Sequence, residues 1–268
     1  MIRQLTRTLE QVYDHEESCT IARIIACEAT GWSVAKILCG DARLEDSPKA
    51  QEMLQRALKS EPIQYITGWT MFCGHKIKCD RRALIPRPET EQMVEWIMSR
   101  EEKGLQVMDL CTGSGCIAVA MGEEWQVSAL EKSEKALALA NENFLANNVK
   151  IDLTEDDIFS PSGDYGVYDI IISNPPYIKP SERVKMEANV LEYEPEMALF
   201  ATEEQPLMFY QAIAMFGREH LKEGGRFYVE VNSALAEETA ELFRRLLYNN
   251  VSVRQDQFGK ARFVWGER

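Results

Sequence analysis

Apolar residues in the first sixty positions recur at intervals of three and four. Ile2, Leu5, Leu9 and Val12 share one helical face, and helices are predicted over Ile2 to Tyr13, Ile21 to Glu28, Val34 to Leu38 and Pro48 to Leu58. The last has the clearest start, with Ser47 as cap, Pro48 at the first helical position, and Met53, Leu54, Ala57 and Leu58 on one side. From residue 61 the period shortens. Gly68 and Gly74 punctuate Tyr65-Ile66-Thr67 and Thr70-Met71-Phe72, and Lys76-Ile77-Lys78 alternates toward Cys79, which predicts a β-hairpin.

Beyond the hairpin, strand-like runs alternate with helical ones. Strands are predicted at Gln106 to Leu110, Gln126 to Leu130, Lys150 to Leu153, Tyr168 to Ser173 and Arg226 to Val231, with helices starting at Cys116, Ser133, Pro206 and Ala234. Two further strands, Val251 to Arg254 and Ala261 to Trp265, have no helix between them and should pair as an antiparallel hairpin at one sheet edge. Such alternation predicts an α/β domain with a mostly parallel sheet covered on both faces. Three parts follow: a helical domain over 1–60, a hairpin linker over 61–87, and the α/β domain over 88–268.

Candidate chemistry sits where strands end. The run Val107-Met108-Asp109-Leu110-Cys111-Thr112-Gly113-Ser114-Gly115 passes from strand into helix, and open α/β sheets bind ligands at the carboxyl ends of their strands. Gly113 and Gly115 permit a tight turn and close approach of a ligand to the backbone. One strand later, Glu131 can accept hydrogen bonds from both hydroxyls of a ribose. Asp109, Thr112, Gly113, Gly115 and Glu131 are therefore candidate cofactor ligands. Gly113, Gly115 and Ala118 also match G-x-G-x-x-A, so a nicotinamide dinucleotide competes for this loop.

The next central strand, Tyr168 to Ser173, leads into Asn174-Pro175-Pro176-Tyr177. Two consecutive prolines fix two φ angles and remove two N–H donors, which makes a stiff turn rich in acceptors. An amide or aromatic amino nitrogen is a poor nucleophile because its lone pair is delocalised. The Asn174 side-chain oxygen and the Pro175 carbonyl could hold its N–H groups and favour the localised lone pair as positive charge develops. Tyr177 would supply an aromatic wall.

Charge and composition narrow the substrate. The formal net charge of −13 argues against a large phosphate-neutralising surface. No apolar run approaches the roughly 20 residues of a membrane span, and the N-terminus lacks a secretory layout, so a cytoplasmic protein is expected. Seven cysteines without a C-x-x-C pair and three scattered histidines give no support to zinc, a disulfide framework or a histidine triad.

Several segments together resemble the protein-(glutamine-N5) methyltransferases of the PrmC/HemK family. They are Glu61-Pro62-Ile63-Gln64-Tyr65-Ile66-Thr67-Gly68, Phe72, Leu84-Ile85-Pro86-Arg87-Pro88-Glu89-Thr90-Glu91, both loops above, Tyr193-Glu194-Pro195 with Ala198-Leu199, and Asp256, Gly259 and Arg262. Cys111 stands where the family usually has glycine, and Glu230-Val231-Asn232 replaces a more usual Glu-x-Gly. The resemblance implies a class I (Rossmann-like) S-adenosylmethionine methyltransferase domain with a seven-stranded sheet whose last strand is antiparallel. It implies S-adenosyl-L-methionine as cofactor, class-1 peptide chain release factors as partners, and methylation of the glutamine in their Gly-Gly-Gln motif. It places Asp157 near the adenine amino group, Phe72 and Pro86 to Arg87 at the cleft border, and Asn174 to Tyr177 around the substrate glutamine. Residues 1–60 would dock the protein substrate. Two other classes remain open at this stage: an amino-methyltransferase of nucleic-acid bases (adenine N6, cytosine N4 or guanine N2), and a binding module that keeps the fold without activity.

Overall fold

The computed structural model describes residues 2–39 and 47–268. The chain divides into two units. One runs to Trp69 and takes in Glu187–Tyr193, and the other comprises Thr70–Met186 and Glu194–Arg268.

The first unit is helical: α1 (Ile2–Leu9), α2 (His15–Thr30), α3 (Val34–Cys39), α4 (Pro48–Ala57) and α5 (Ile63–Thr67). The cap predicted for α4 is present, with the Ser47 hydroxyl accepting from the Ala50 N–H. α1 stops short of Tyr13, and Val12 is exposed. α2 is twice the predicted length because the Asp14 side chain caps its start, accepting from Glu17 N–H, and Gly31 closes it in the left-handed conformation. Leu9, Ile21, Ile25, Ile37, Met53 and Ile66 make the core. Tyr65-Ile66-Thr67 is helical, not the strand expected, because the turn between Pro62 and Gly68 closes on hydrogen bonds from Ile66 N–H to the Pro62 carbonyl and from Gly68 N–H to the Gln64 carbonyl. A segment from the middle of the sequence, α9 (Ala188–Tyr193), completes this unit, and the Tyr193 hydroxyl donates to the Lys59 carbonyl at 2.9 Å.

A hairpin of β1 (Trp69–Phe72) and β2 (His75–Lys78) follows, and all of it after Trp69 belongs to the second unit. Its two-residue turn, Cys73-Gly74, has positive φ at both positions, which matches the right-handed twist of paired strands. Then come α6 (Pro88–Arg100), β3 (Gln106–Leu110), α7 (Cys116–Met121), β4 (Gln126–Glu131), α8 (Glu134–Ala146), β5 (Asp152–Glu155) and β6 (Tyr168–Ser173). After β6 the unit continues through α10 (Glu196–Leu199), α11 (Met208–His220), β7 (Leu221–Glu230), α12 (Ala236–Arg245), β8 (Asn249–Gln255) and β9 (Ala261–Glu267).

The large sheet has the order β5-β4-β3-β6-β7-β9-β8. All pairings from β5 to β7 are parallel, and β9 is antiparallel to both of its neighbours. Alternation along the central strands explains two cores. Val107, Ile170, Ile172 and Tyr228 point into one with Met93 and Ile117, while Met108, Leu110, Ile171, Phe227 and Val229 point into the other with Tyr210 and Phe243. From β3 the chain first builds outward through β4 and β5, then returns to place β6 on β3's other side. A crevice opens at that reversal, beyond the carboxyl ends of β3 and β6.

Candidate functional site

The loop after β3 alternates residues of positive φ: Cys111 at 61°, Gly113 at 58° and Gly115 at 78°. Each glycine has a different reason. A Cβ on Gly115 would lie 2.6 Å from Phe144 Cε1, so this residue lets α7 seat against α8. A Cβ on Gly113 would meet only the Cys111 carbonyl at 4.0 Å, so there the requirement is conformational and the backbone stands open to the crevice. The conformation of Cys111 accounts for the glycine usual at that position, since a side chain in this region carries a steric cost.

Glu131, at the end of β4, braces this loop. Its Oε2 accepts from Gly113 N–H at 2.9 Å and its Oε1 from Ser133 N–H at 2.8 Å. Burial pushes its carboxyl above the ordinary value, against the pull of those N–H groups. Asp109 is fully buried beneath the loop. Thr112 donates to its Oδ2, its Oδ1 has no partner, and burial raises the carboxyl to about 7. Asp157 follows β5, accepting from the Lys132 ammonium at 2.7 Å and from Phe159 N–H at 3.1 Å. Although burial works against ionisation, those two partners hold its carboxyl below the usual range. Asp157 therefore both caps a turn and faces the crevice.

A single open cavity of about 1100 Å³, mouth included, joins these residues to the turn after β6. Its wall includes Thr112, Gly113, Glu131 and Asp157 from the β3, β4 and β5 side and Arg87, Thr90, Asn174 and Pro176 from the β6 side, along with Ile85, Ile158 and Phe209. Its mostly apolar lining with a few convergent polar groups is that of a small-molecule site. The polar groups on the wall suit a ligand with a ribose and a charged tail: open backbone at Gly113 and the carboxylates of Glu131 and Asp157.

The Asn-Pro-Pro-Tyr end is held by buried side chains. Asn174 Nδ2 donates to Thr90 Oγ1 at 2.8 Å, Thr90 donates to Glu230 Oε2 at 2.6 Å, and the Tyr177 hydroxyl donates to Glu230 Oε1 at 2.9 Å. Glu230, at the end of β7, is 1% exposed, and burial raises its carboxyl while the Thr90 and Tyr177 hydroxyls and Arg262 oppose that rise. Asn232 is extended (φ −60°) and needs no glycine there; its side chain accepts from Ala234 N–H and donates to Glu182. Arg87 pairs with Glu194 at 2.5 Å, and the same carboxylate accepts from Ile85 N–H at 3.1 Å, which fixes the segment that enters α6.

Five expected site residues lie off the cavity wall, among them Asp109, which is fully buried beneath the loop. Phe72 is the one buried residue of β1 and packs in the core with Ile77 and Met93. Gly115 serves packing beneath the loop, and Pro175 is buried. Tyr177 forms no part of the wall predicted for it, because its hydroxyl is drawn to Glu230 and its ring packs against the core beside Tyr210 and Val229. Sequence reasoning missed Thr90, Glu194 and Glu230 as partners. Thr90 and Glu194 stood inside quoted segments, and a buried carboxylate ending a strand beside the motif was the available signal for Glu230.

Comparison with known proteins gives concordant results. A family model of the methyltransferase small domain matches residues 88–196, and one of the PrmC N-terminal domain matches residues 1–68. The chain is 38% identical to the release factor glutamine methyltransferase of Bacteroides thetaiotaomicron, with 98% of each chain covered. Against that of Flavobacterium psychrophilum it is 35% identical over 97% of this chain and 95% of the other; against that of Lactococcus lactis subsp. lactis it is 41% identical over 80% of each. Among solved structures, a methyltransferase from Pyrococcus furiosus superposes with a TM-score of 0.55 at 18% identity, covering 72% of this chain and 89% of that one. The T. thermophilus 16S rRNA N2 G1207 methyltransferase also gives 0.55, at 16% identity over 75% of this chain and 49% of its own. These structural likenesses bear on the fold alone, and the fold is that of methyltransferases.

Proposed function

Because the chain belongs to the release factor glutamine methyltransferases, we propose that it transfers a methyl group from S-adenosyl-L-methionine to the side-chain amide nitrogen of the Gly-Gly-Gln glutamine in class-1 peptide chain release factors. The observation that carries this reading is the shared cavity: one wall holds the glycine loop and its carboxylates together with Asn174 and Pro176. Bound S-adenosylmethionine supplies an electrophilic methyl on a sulfonium. Gly113 and Thr112 would receive its amino-acid end, Glu131 its ribose and Asp157 its adenine.

The chain's own residues act on the glutamine. Its amide nitrogen is unreactive while the lone pair is shared with the carbonyl. Asn174 and the Pro175 carbonyl would accept its N–H groups, bonds that strengthen as the nitrogen becomes tetrahedral and positive. Pro176 keeps that turn stiff, so little reorganisation accompanies reaction. Tyr177 acts through Glu230 on the shape of the turn and not as a wall. Neither nucleic acid nor membrane enters this reading, and the cytoplasm is the proposed location. No helix among the described residues is long and apolar enough to cross a membrane.

Transfer of labelled methyl from S-adenosylmethionine to purified release factor tests the reading. Label should appear on the wild-type factor and not on one whose Gly-Gly-Gln glutamine is changed. Label entering tRNA, rRNA or DNA instead would give the assignment to a nucleic-acid enzyme.

Residues 1–60 are proposed to dock the release factor, and the hairpin within 61–87 to link them to the catalytic residues of 88–268. The chemistry above uses no residue before the hairpin, while an exposed glutamine loop must be held in register. Hydrogen exchange checks this: adding release factor should slow exchange in α1, α2 and α4. Protection confined to the Asn174–Tyr177 turn would remove the docking role.

A further inference from the structure

The Asn174 side chain has two faces of similar shape and opposite character, an oxygen that accepts and an NH2 that donates. Only the oxygen can hold the N–H of a substrate amide. If the side chain turned over, two NH2 groups would oppose each other across the reacting centre. Nothing in Asn174 itself selects one orientation, so its neighbours must.

We propose that Thr90 and Glu230 are positioning residues, forming a directional chain of hydrogen bonds that locks the Asn174 amide with Oδ1 presented to the substrate. This rests on the role given to Asn174 above. The direction starts at Glu230. Its two oxygens take one hydroxyl each, Thr90 on Oε2 at 2.6 Å and Tyr177 on Oε1 at 2.9 Å. An ionised carboxylate has only acceptors, so both hydroxyls must donate to it. Burial and Glu89 push this carboxyl up, and the two hydroxyls and Arg262 oppose that rise; the donor direction rests on the geometry, with one hydroxyl on each oxygen. Thr90 has one proton, and it goes to Glu230. Toward Asn174, at 2.8 Å, Thr90 therefore offers only lone pairs, and only Nδ2 can meet them.

The alternative orientation would set Asn174 Oδ1 against a threonine oxygen with no proton to give. That arrangement buries two acceptors facing each other, a loss of the kind that leaves polar groups unsatisfied. The chain also runs through three separate parts of the fold: the first turn of α6, the end of β7 and the turn after β6. Thr90 is 2% exposed and Glu230 1%, so water does not compete at the link between them.

The test uses the full chain with release factor as substrate and compares Thr90→Val, Thr90→Ser, Glu230→Gln and Asn174→Leu. Valine keeps the shape of threonine without its hydroxyl. Thr90→Val should lower kcat at saturating substrates by at least about tenfold, while S-adenosylhomocysteine affinity stays within about twofold, and Thr90→Ser should restore most of the rate. Glu230→Gln supplies an NH2 that can donate to Thr90 and reverse the chain, so it should also slow turnover. The spectroscopic signature is the ¹⁵N side-chain amide pair of Asn174, identified by its absence in Asn174→Leu; it should shift in Thr90→Val and return in Thr90→Ser. A wild-type kcat in Thr90→Val, an unshifted Asn174 signal, or no rescue by serine overturns the proposal. Should Thr90→Val fail to fold, Glu230→Gln decides, a wild-type rate overturning it and a slowed rate with shifted Asn174 signals supporting it. Asn174→Leu separates the two levels. Normal methyl transfer in that variant removes the function given to Asn174, whereas a slow Asn174→Leu beside a normal Thr90→Val removes only the positioning chain.

Discussion

The two ends of the cavity are made by different means. At the β3 and β4 end the working surface is backbone, curved by three positive-φ residues within five positions and braced by a carboxylate on a neighbouring strand. At the β6 and β7 end it is a set of side chains, Asn174, Thr90, Glu230 and Tyr177, linked in series through the buried pair Thr90 and Glu230. A backbone cradle tolerates changes in side chains so long as its dihedral angles survive. A series of side chains loses its function when any link is cut. The first arrangement suits holding a large, invariant ligand, and the second suits orienting one small group.

Four measurements sharpen or break that contrast. The largest effect is expected at Asn174. Asn174→Leu keeps volume and removes the acceptor, so single-turnover methyl transfer should fall on the order of a hundredfold or more, about 2.7 kcal/mol of barrier. S-adenosylhomocysteine affinity by calorimetry should hardly move. Near-normal transfer would mean that the side-chain end does not orient the substrate.

Next comes Glu131. Its removal should weaken cofactor binding by on the order of 1.5 to 3 kcal/mol, roughly ten- to a hundredfold, with circular dichroism unchanged. Because Glu131 also holds Gly113 N–H, part of that loss belongs to the loop. Unchanged affinity would show that the cradle holds its ligand without the brace.

A smaller effect concerns pH. The Asp109 carboxyl is pushed up to about 7 by burial, above its value in an unfolded chain. Such a group contributes stability that is complete below the unfolded value near 4 and is lost as pH rises toward 7, at up to about 1.4 kcal/mol per unit. Asparagine does not titrate. The melting temperature of wild type relative to Asp109→Asn should therefore fall between pH 5 and pH 7, and a flat difference would mean that Asp109 is ionised throughout.

The smallest change is expected for Cys111→Gly. Glycine removes the steric cost of the left-handed conformation but also a half-buried thiol, so urea denaturation should place the variant within about 1 kcal/mol of wild type. A loss of several kcal/mol would show that the cradle depends on that side chain after all.

The same contrast decides what could be read from the sequence. Asp109, Gly113 and Glu131 lie within 23 residues, on one strand, the loop after it and the next strand, so spacing alone brought them together. The Asn174 turn was legible because two prolines force its shape. Thr90 and Glu230 are 140 positions apart, and only the pairing of β6 with β7 and the entry of α6 bring them into contact. The partner of Tyr177 was hidden for that reason: an aromatic residue in a motif reads as a wall, and nothing local pairs its hydroxyl with a buried carboxylate 53 positions on. Phe72 was likewise assigned to the crevice, although an alternating strand gives its inward positions to the core. In the helical unit, the caps at Ser47 and Pro48 were local and readable, whereas the return of Glu187–Tyr193 was carried by no pattern in the first 68 residues.

That return governs how the protein can be recombined. The helical unit is discontinuous, begun at one end of the gene and finished after two-thirds of it, so it is not a cassette that one junction can detach. Cutting at residue 68 would leave Tyr193 without the Lys59 carbonyl that its hydroxyl meets. A chimaera that borrows this unit from a relative must import the 187–193 segment with it, and crossovers placed on either side of that segment should yield stable hybrids only in pairs.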